Sequence, residues 1–74
     1  MARLPRLSGR EVVRAFESLG WEQVRQSSSH MILVREGNRA TLSVPEHREV
    51  AAGTLRTLIR SAGLTVEEFA EAVR

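Results

Sequence analysis

Three strand-like runs follow one another between residues 21 and 44, and only three residues separate each from the next. The runs are residues 21–26, 30–35 and 39–44, and the links are Ser27-Ser28-Ser29 and Glu36-Gly37-Asn38. Parallel neighbours need a crossover of roughly a dozen residues or more, so links this short dictate an antiparallel meander. In the third run Ala40, Leu42 and Val44 alternate with Arg39, Thr41 and Ser43, the period-two signature of a strand with one buried face. The middle run, Met31-Ile32-Leu33-Val34, is apolar at both parities. A sheet of this kind needs helices over at least one face.

The flanking segments supply them. Ser8-Gly9-Arg10-Glu11 has the spacing of a capping box, in which the Ser8 hydroxyl and the Glu11 carboxylate each satisfy the other's backbone N–H. Val12, Val13, Phe16 and Leu19 follow at helical spacing, and Gly20 suits the position after the C-cap, so a first helix is predicted over about residues 9–19. Gly37 and Asn38 suit the second hairpin link, since both tolerate positive φ. Pro45 ends the third strand and Glu46-His47-Arg48-Glu49-Val50 reads as a loop. Gly53-Thr54 opens a second helix, with Thr54 at the N-cap, Leu55, Leu58, Ile59 and Ala62 on its apolar stripe, and Gly63 at its close. Thr65-Val66-Glu67-Glu68 is another capping box and starts a short last helix carrying Val66, Phe69, Ala70 and Val73. The expected fold class is therefore α+β: α-β-β-β-α with a three-stranded antiparallel sheet, both helices on one face, and a short extra C-terminal helix. This is the layout of the double-stranded-RNA-binding domain.

A chain of 74 residues makes one domain, taken as residues 1–74, and buries a small core. It has no cysteine to staple that core. Two histidines and no aspartate argue against a metal site, and no motif for a cofactor is present, so none is expected. No apolar run approaches the roughly 20 residues that span a bilayer, and the first residues lack the apolar stretch of a signal peptide. A soluble, cytoplasmic protein with no membrane partner is expected. All eleven cations are Arg and all nine anions Glu; residues 1–60 hold ten Arg against six Glu, and residues 61–74 one Arg against three Glu. A basic body of arginines suits phosphate contact. An Arg-for-Lys bias of the genome accounts for the same composition.

His30 is the candidate for chemistry. It stands where the serine-rich turn enters the middle strand, and parity puts it on the face opposite Met31 and Leu33, together with Ile32 and Val34. If Met31 and Leu33 meet the helices, His30 looks out over the open face. An imidazole there can accept or donate a proton near neutral pH. Spacing alone favours the plainer role of hydrogen-bonding the turn.

The order and spacing of several motifs then resemble those of the HicA family of small bacterial toxins. These are Leu19-Gly20-Trp21, Arg25-Gln26 followed by Ser29-His30, Val44-Pro45 followed by His47, Gly53-Thr54-Leu55-Arg56 leading to Ile59 and Ala62-Gly63-Leu64, and Glu67-Glu68-Phe69. The similarity runs from about Leu7 to Val73. It implies the same double-stranded-RNA-binding-like fold and a metal-independent endoribonuclease that cleaves messenger RNA, with its catalytic histidine at His30. It also implies a HicB-like antitoxin as partner; a homodimer remains open. One departure stands out: the family usually has glycine where this chain has Ser28, and glycine there would let the backbone take positive φ or approach RNA closely.

Around His30, Arg25, Gln26, Ser28, Ser29, Arg35, Arg39 and His47 are the candidate RNA contacts. Ser29 can hold a phosphate oxygen or orient His30, or simply form the turn. His47 can be a second proton carrier or fix its own loop. For each Arg taken singly, the residue type favours a solvated surface charge or a Glu partner, and Trp21 is read as core rather than as a platform for a base. The competing function is a non-catalytic RNA-binding module on the same fold, or a degenerate toxin that only binds its antitoxin.

Overall fold

The computed structural model describes residues 3–73. The expected domain span and the reading of the first residues include Met1, Ala2 and Arg74, which lie outside the described residues. The element order is α1 (Gly9–Ser18), β1 (Glu22–Gln26), β2 (His30–Val34), β3 (Leu42–Pro45), α2 (Ala52–Ser61) and α3 (Val66–Val73). The strands form one antiparallel sheet in the order β1-β2-β3. This is the predicted α-β-β-β-α layout with its additional C-terminal helix, the double-stranded-RNA-binding-like arrangement.

One face of the sheet carries the core. Met31 and Leu33 of β2 and Leu42 and Val44 of β3 are all buried, as are Val12, Val13, Ala15 and Phe16 of α1 and Leu55, Leu58 and Ile59 of α2. The α3 helix contributes Phe69, whose ring centroid lies 5.0 Å from that of Phe16. Trp21 meets the same Phe16 edge-on at 6.2 Å. Aromatic pairs in this range add about 0.5–1.5 kcal/mol to what their burial contributes. Phe16 thus ties α1, the entry to β1 and α3 into one cluster, and Trp21 has the core role expected of it. Its indole Nε1 is buried with no hydrogen-bond partner.

Both long helices end alike. Gly20, at φ +97°, and Gly63, at φ +77°, take the left-handed conformation just past the C-cap. The Trp21 and Leu64 N–H groups reach back to the carbonyls of Phe16 and Ile59, and the Gly20 and Gly63 N–H groups to those of Glu17 and Arg60. These are Schellman motifs, which satisfy carbonyls the helix leaves without partners. The two predicted capping boxes are present. Ser8 Oγ accepts from the Glu11 N–H at 3.2 Å while the Ser8 N–H donates to Glu11 Oε1 at 2.9 Å. Thr65 and Glu68 repeat the exchange at 3.1 and 2.8 Å.

Two boundaries differ from expectation by more than one residue. The third strand begins at Leu42, not at Arg39. Asn38 is the cause: its Oδ1 accepts from the Ala40 N–H at 2.8 Å and its Nδ2 donates to the Ala62 carbonyl at 3.4 Å, which takes residues 38–40 out of the ladder. Of the two residues expected to tolerate positive φ there, only Gly37 adopts it. The second helix begins at Ala52 with Ala51 at its N-cap, so Thr54 is inside the helix and caps nothing. The Ala51 backbone at φ −59° and ψ 142° turns the chain into the helix three residues before the expected cap at Thr54.

Candidate functional site

The site is built from the turn between β1 and β2. Ser27 Oγ accepts from the His30 N–H at 3.2 Å, and the Ser27 N–H donates to the His30 carbonyl at 2.9 Å. The turn is thereby closed by its own first serine. Residues 27–30 are all exposed, and none of them takes positive φ. Position 28 therefore asks nothing of the backbone that a serine cannot give.

Met31 is 1% exposed and Leu33 0%, which settles the parity of β2. His30 is exposed and shares the open face with the half-buried Ile32 and Val34. Its ring has a partner that favours one orientation: Nδ1 lies 3.0 Å from Ser29 Oγ. When Nδ1 carries the proton and donates to that hydroxyl, Nε2 is left as the basic nitrogen; the opposite tautomer makes Nε2 a donor.

Strand β1 is irregular in a way that matters to the site. Gln23 pairs with Leu33 and Arg25 with Ile32, so Val24 is an extra residue in the ladder. Such a bulge re-aims the side chains that follow it. Plain alternation would put Arg25 on the same face as Gln23, under the helices. The bulge puts it opposite Ile32, on the open face with His30, and Val24 is left 53% exposed. Gln26 pairs with Met31 and so faces the other way. Its Nε2 donates to Glu46 Oε1 at 2.8 Å, and Gln23 Nε2 contacts Gln26 Oε1 at 3.5 Å.

The end of β3 closes the site. Pro45 is the register partner of His30, and the Glu46 N–H donates to the Ser29 carbonyl at 2.8 Å. His47 stands two residues beyond the partner of His30, exposed, with its carbonyl accepting from the Gly9 N–H at 2.9 Å. Gly9 is required there. A Cβ on it would collide with the Pro45 carbonyl oxygen and lie 3.1 Å from the Met31 methyl. Ser8, Arg10, Glu46, His47 and Arg48 line a shallow groove of about 300 Å³ on this side of the turn.

The fold thus gathers Arg25, Gln26, Ser28, Ser29, His30 and His47 at one end of the sheet. It does not bring Arg35 and Arg39 there. Arg35 follows the far end of β2, five residues along a strand that rises about 3.3 Å per residue. Its guanidinium lies over Gly20, where a Cβ would be 3.0 Å from Nε. Arg39 sits in the loop at that same end.

Sequence reasoning passed over three contributors. Ser27 closes the turn, Gly9 admits the Pro45 loop against α1, and Glu46 joins Gln26 to Arg10. The serine run held a signal for the first. Nothing in the sequence distinguishes Glu46 from any other loop acid. Among the described residues no group of three or more His, Cys, Asp or Glu is placed to hold a metal ion, and no helix is long and apolar enough to cross a membrane.

Comparison with known proteins agrees with this picture. No curated protein matches the chain. The family model described as the HicA toxin of bacterial toxin–antitoxin systems matches residues 9–64, from the first residue of α1 to the residue after Gly63, and so takes in the whole of the site. A toxin of this kind has an antitoxin as its partner, and a match over this span shows that the chain belongs to the HicA toxins.

Proposed function

We propose that this toxin is an endoribonuclease that cleaves messenger RNA and so inhibits translation, with His30 as its proton carrier. The observation that carries the reading is the exposed His30 ring, held through Nδ1 by Ser29 at 3.0 Å on a turn closed by Ser27. Held that way, Nε2 takes the proton of a ribose 2′-hydroxyl. The oxygen attacks the adjacent phosphorus and the bond to the 5′ oxygen breaks. The products are a 2′,3′-cyclic phosphate and a 5′-hydroxyl, once an acid has protonated the departing oxygen. His47, or a water, supplies that proton. Because the nucleophile belongs to the RNA, the reaction needs no metal ion.

The RNA runs over the end of the sheet that carries the turn. Arg25 on the open face meets phosphate, with Ser28 and Ser29 offering hydroxyls, and His47 stands two residues beyond Pro45, the register partner of His30. Arg35 and Arg39, at the far end of β2, reach phosphates several nucleotides away. Gln26 contributes through Glu46. The antitoxin is a HicB-like protein that covers His30 and this surface, and the toxin acts in the cytoplasm, where its substrate is.

Purified protein incubated with a long transcript in EDTA tests the reading. Cleavage that disappears in His30→Ala supports it. Intact RNA of retarded mobility identifies a non-catalytic binding module instead, and intact RNA of unchanged mobility a toxin reduced to antitoxin binding.

A further inference from the structure

We propose that Glu46 is a positioning residue for His30, an inference that rests on the reading of His30 as the proton carrier. Glu46 grips the turn on both sides. Its Oε1 accepts from Gln26 Nε2 at 2.8 Å, just before the turn, and its N–H donates to the Ser29 carbonyl at 2.8 Å, just before His30. Its Oε2 accepts from Arg10 Nη2 at 3.0 Å, which anchors the carboxylate to α1. One residue thereby fixes the turn relative to β3 and the helix layer.

The energetics separate this role from a structural one. The Arg10 and Glu46 side chains are 66% and 30% exposed, and ion pairs in such surroundings contribute little to stability. The fold rests on the core beneath them. What the Glu46 carboxylate supplies is a restraint on the segment that carries the imidazole. Proton transfer to a positioned base is sensitive to small displacements of that base. Loss of the restraint therefore shows in the chemical step and leaves RNA affinity and the fold nearly as they were.

The test uses the full chain and a long in vitro transcript, with rates taken at saturating RNA. Glu46→Ala removes both acceptors, and Gln26→Glu sets two carboxylates against each other. Each is expected to lower kcat about tenfold, the cost of a mispositioned base, and Glu46→Ala, which leaves every candidate RNA contact in place, to do so with KM little changed. Gln26→Glu combined with Glu46→Gln reverses donor and acceptor, and should recover most of the loss of Gln26→Glu alone. Thermal melts confirm that each variant is folded. Wild-type kcat in both single variants overturns the proposal, as does a rise in KM alone, or a double variant no better than Gln26→Glu. If His30→Ala itself cleaves at the wild-type rate, the failure lies with the reading of His30 and not with Glu46.

Discussion

Ser29 Oγ and His30 Nδ1 lie 3.0 Å apart on consecutive residues of an exposed turn, so the side chain that orients the imidazole is its own neighbour in sequence. A hydrogen bond of this kind has a net worth of about 0.5–1.5 kcal/mol, up to a factor of ten in the population of the correctly oriented ring. Ser29→Ala should therefore lower the single-turnover rate of RNA cleavage by up to about tenfold. Ser29→Thr, which keeps the hydroxyl, should retain most of it. Rates measured with enzyme in excess check this, and equal rates for Ser29→Ala and wild type contradict it.

Ser28 stands where the resemblance to the HicA family implies a glycine, yet its backbone needs no positive φ. Restoring glycine removes one hydroxyl from the RNA surface and relieves no backbone strain, so cleavage should stay at or slightly below the wild-type level. It should also lower the melting temperature slightly, since glycine adds about 0.4–1 kcal/mol of unfolded-chain entropy to be lost. A large gain in activity for Ser28→Gly would mean that the serine side chain obstructs RNA.

Gly9 is where α1 meets the loop after β3. Gly9→Ala places a Cβ against the Pro45 carbonyl, and the neighbour is backbone, not a flexible side chain. Overpacking of this sort costs about 1–3 kcal/mol. Urea denaturation should show that loss, and the displaced Pro45 segment, which pairs with His30, should lower cleavage as well.

The Ser8 backbone N–H above all, then the Ser8 hydroxyl, hold the Glu11 carboxyl below its usual range, and Arg14 adds to the effect. A carboxyl lowered in the folded state contributes stability above its unfolded pKa and loses it as pH falls through the folded value. The melting temperature of Glu11→Gln should thus lie furthest below wild type near neutral pH, and the gap should close toward strongly acid pH. A gap that is constant with pH would assign the loss to something other than the charge.

The sequence read well wherever a local pattern maps onto one element. The Ser8–Glu11 and Thr65–Glu68 boxes, the glycines at 20 and 63, and the opposed parities of Met31 and His30 each depend on a few adjacent residues, and the structure has them all. It read poorly where a backbone turn carries no side-chain signal or where distant segments decide. Strand β3 starts late because the Asn38 side chain bonds Ala40 and Ala62. Helix α2 starts early because the backbone at Ala51 turns it without a side-chain cap. The bulge at Val24 is legible only from the pairing with β2, and without it Arg25 would not share a face with His30. Glu46 meets Arg10 and Gln26 from 36 and 20 residues away, and no spacing rule reaches that far.

The central claim is that His30 carries the proton in RNA cleavage, and one comparison tests it most directly. Wild-type protein and His30→Ala, both shown to be folded by circular dichroism, are incubated with the same transcript in EDTA. The 3′ ends of any fragments are then analysed. His30 is exposed and outside the core, so its loss should leave the melting temperature nearly unchanged. The expected result is fragmentation by wild type with 2′,3′-cyclic phosphate ends, and none by His30→Ala. Equal fragmentation by the two proteins would contradict the account.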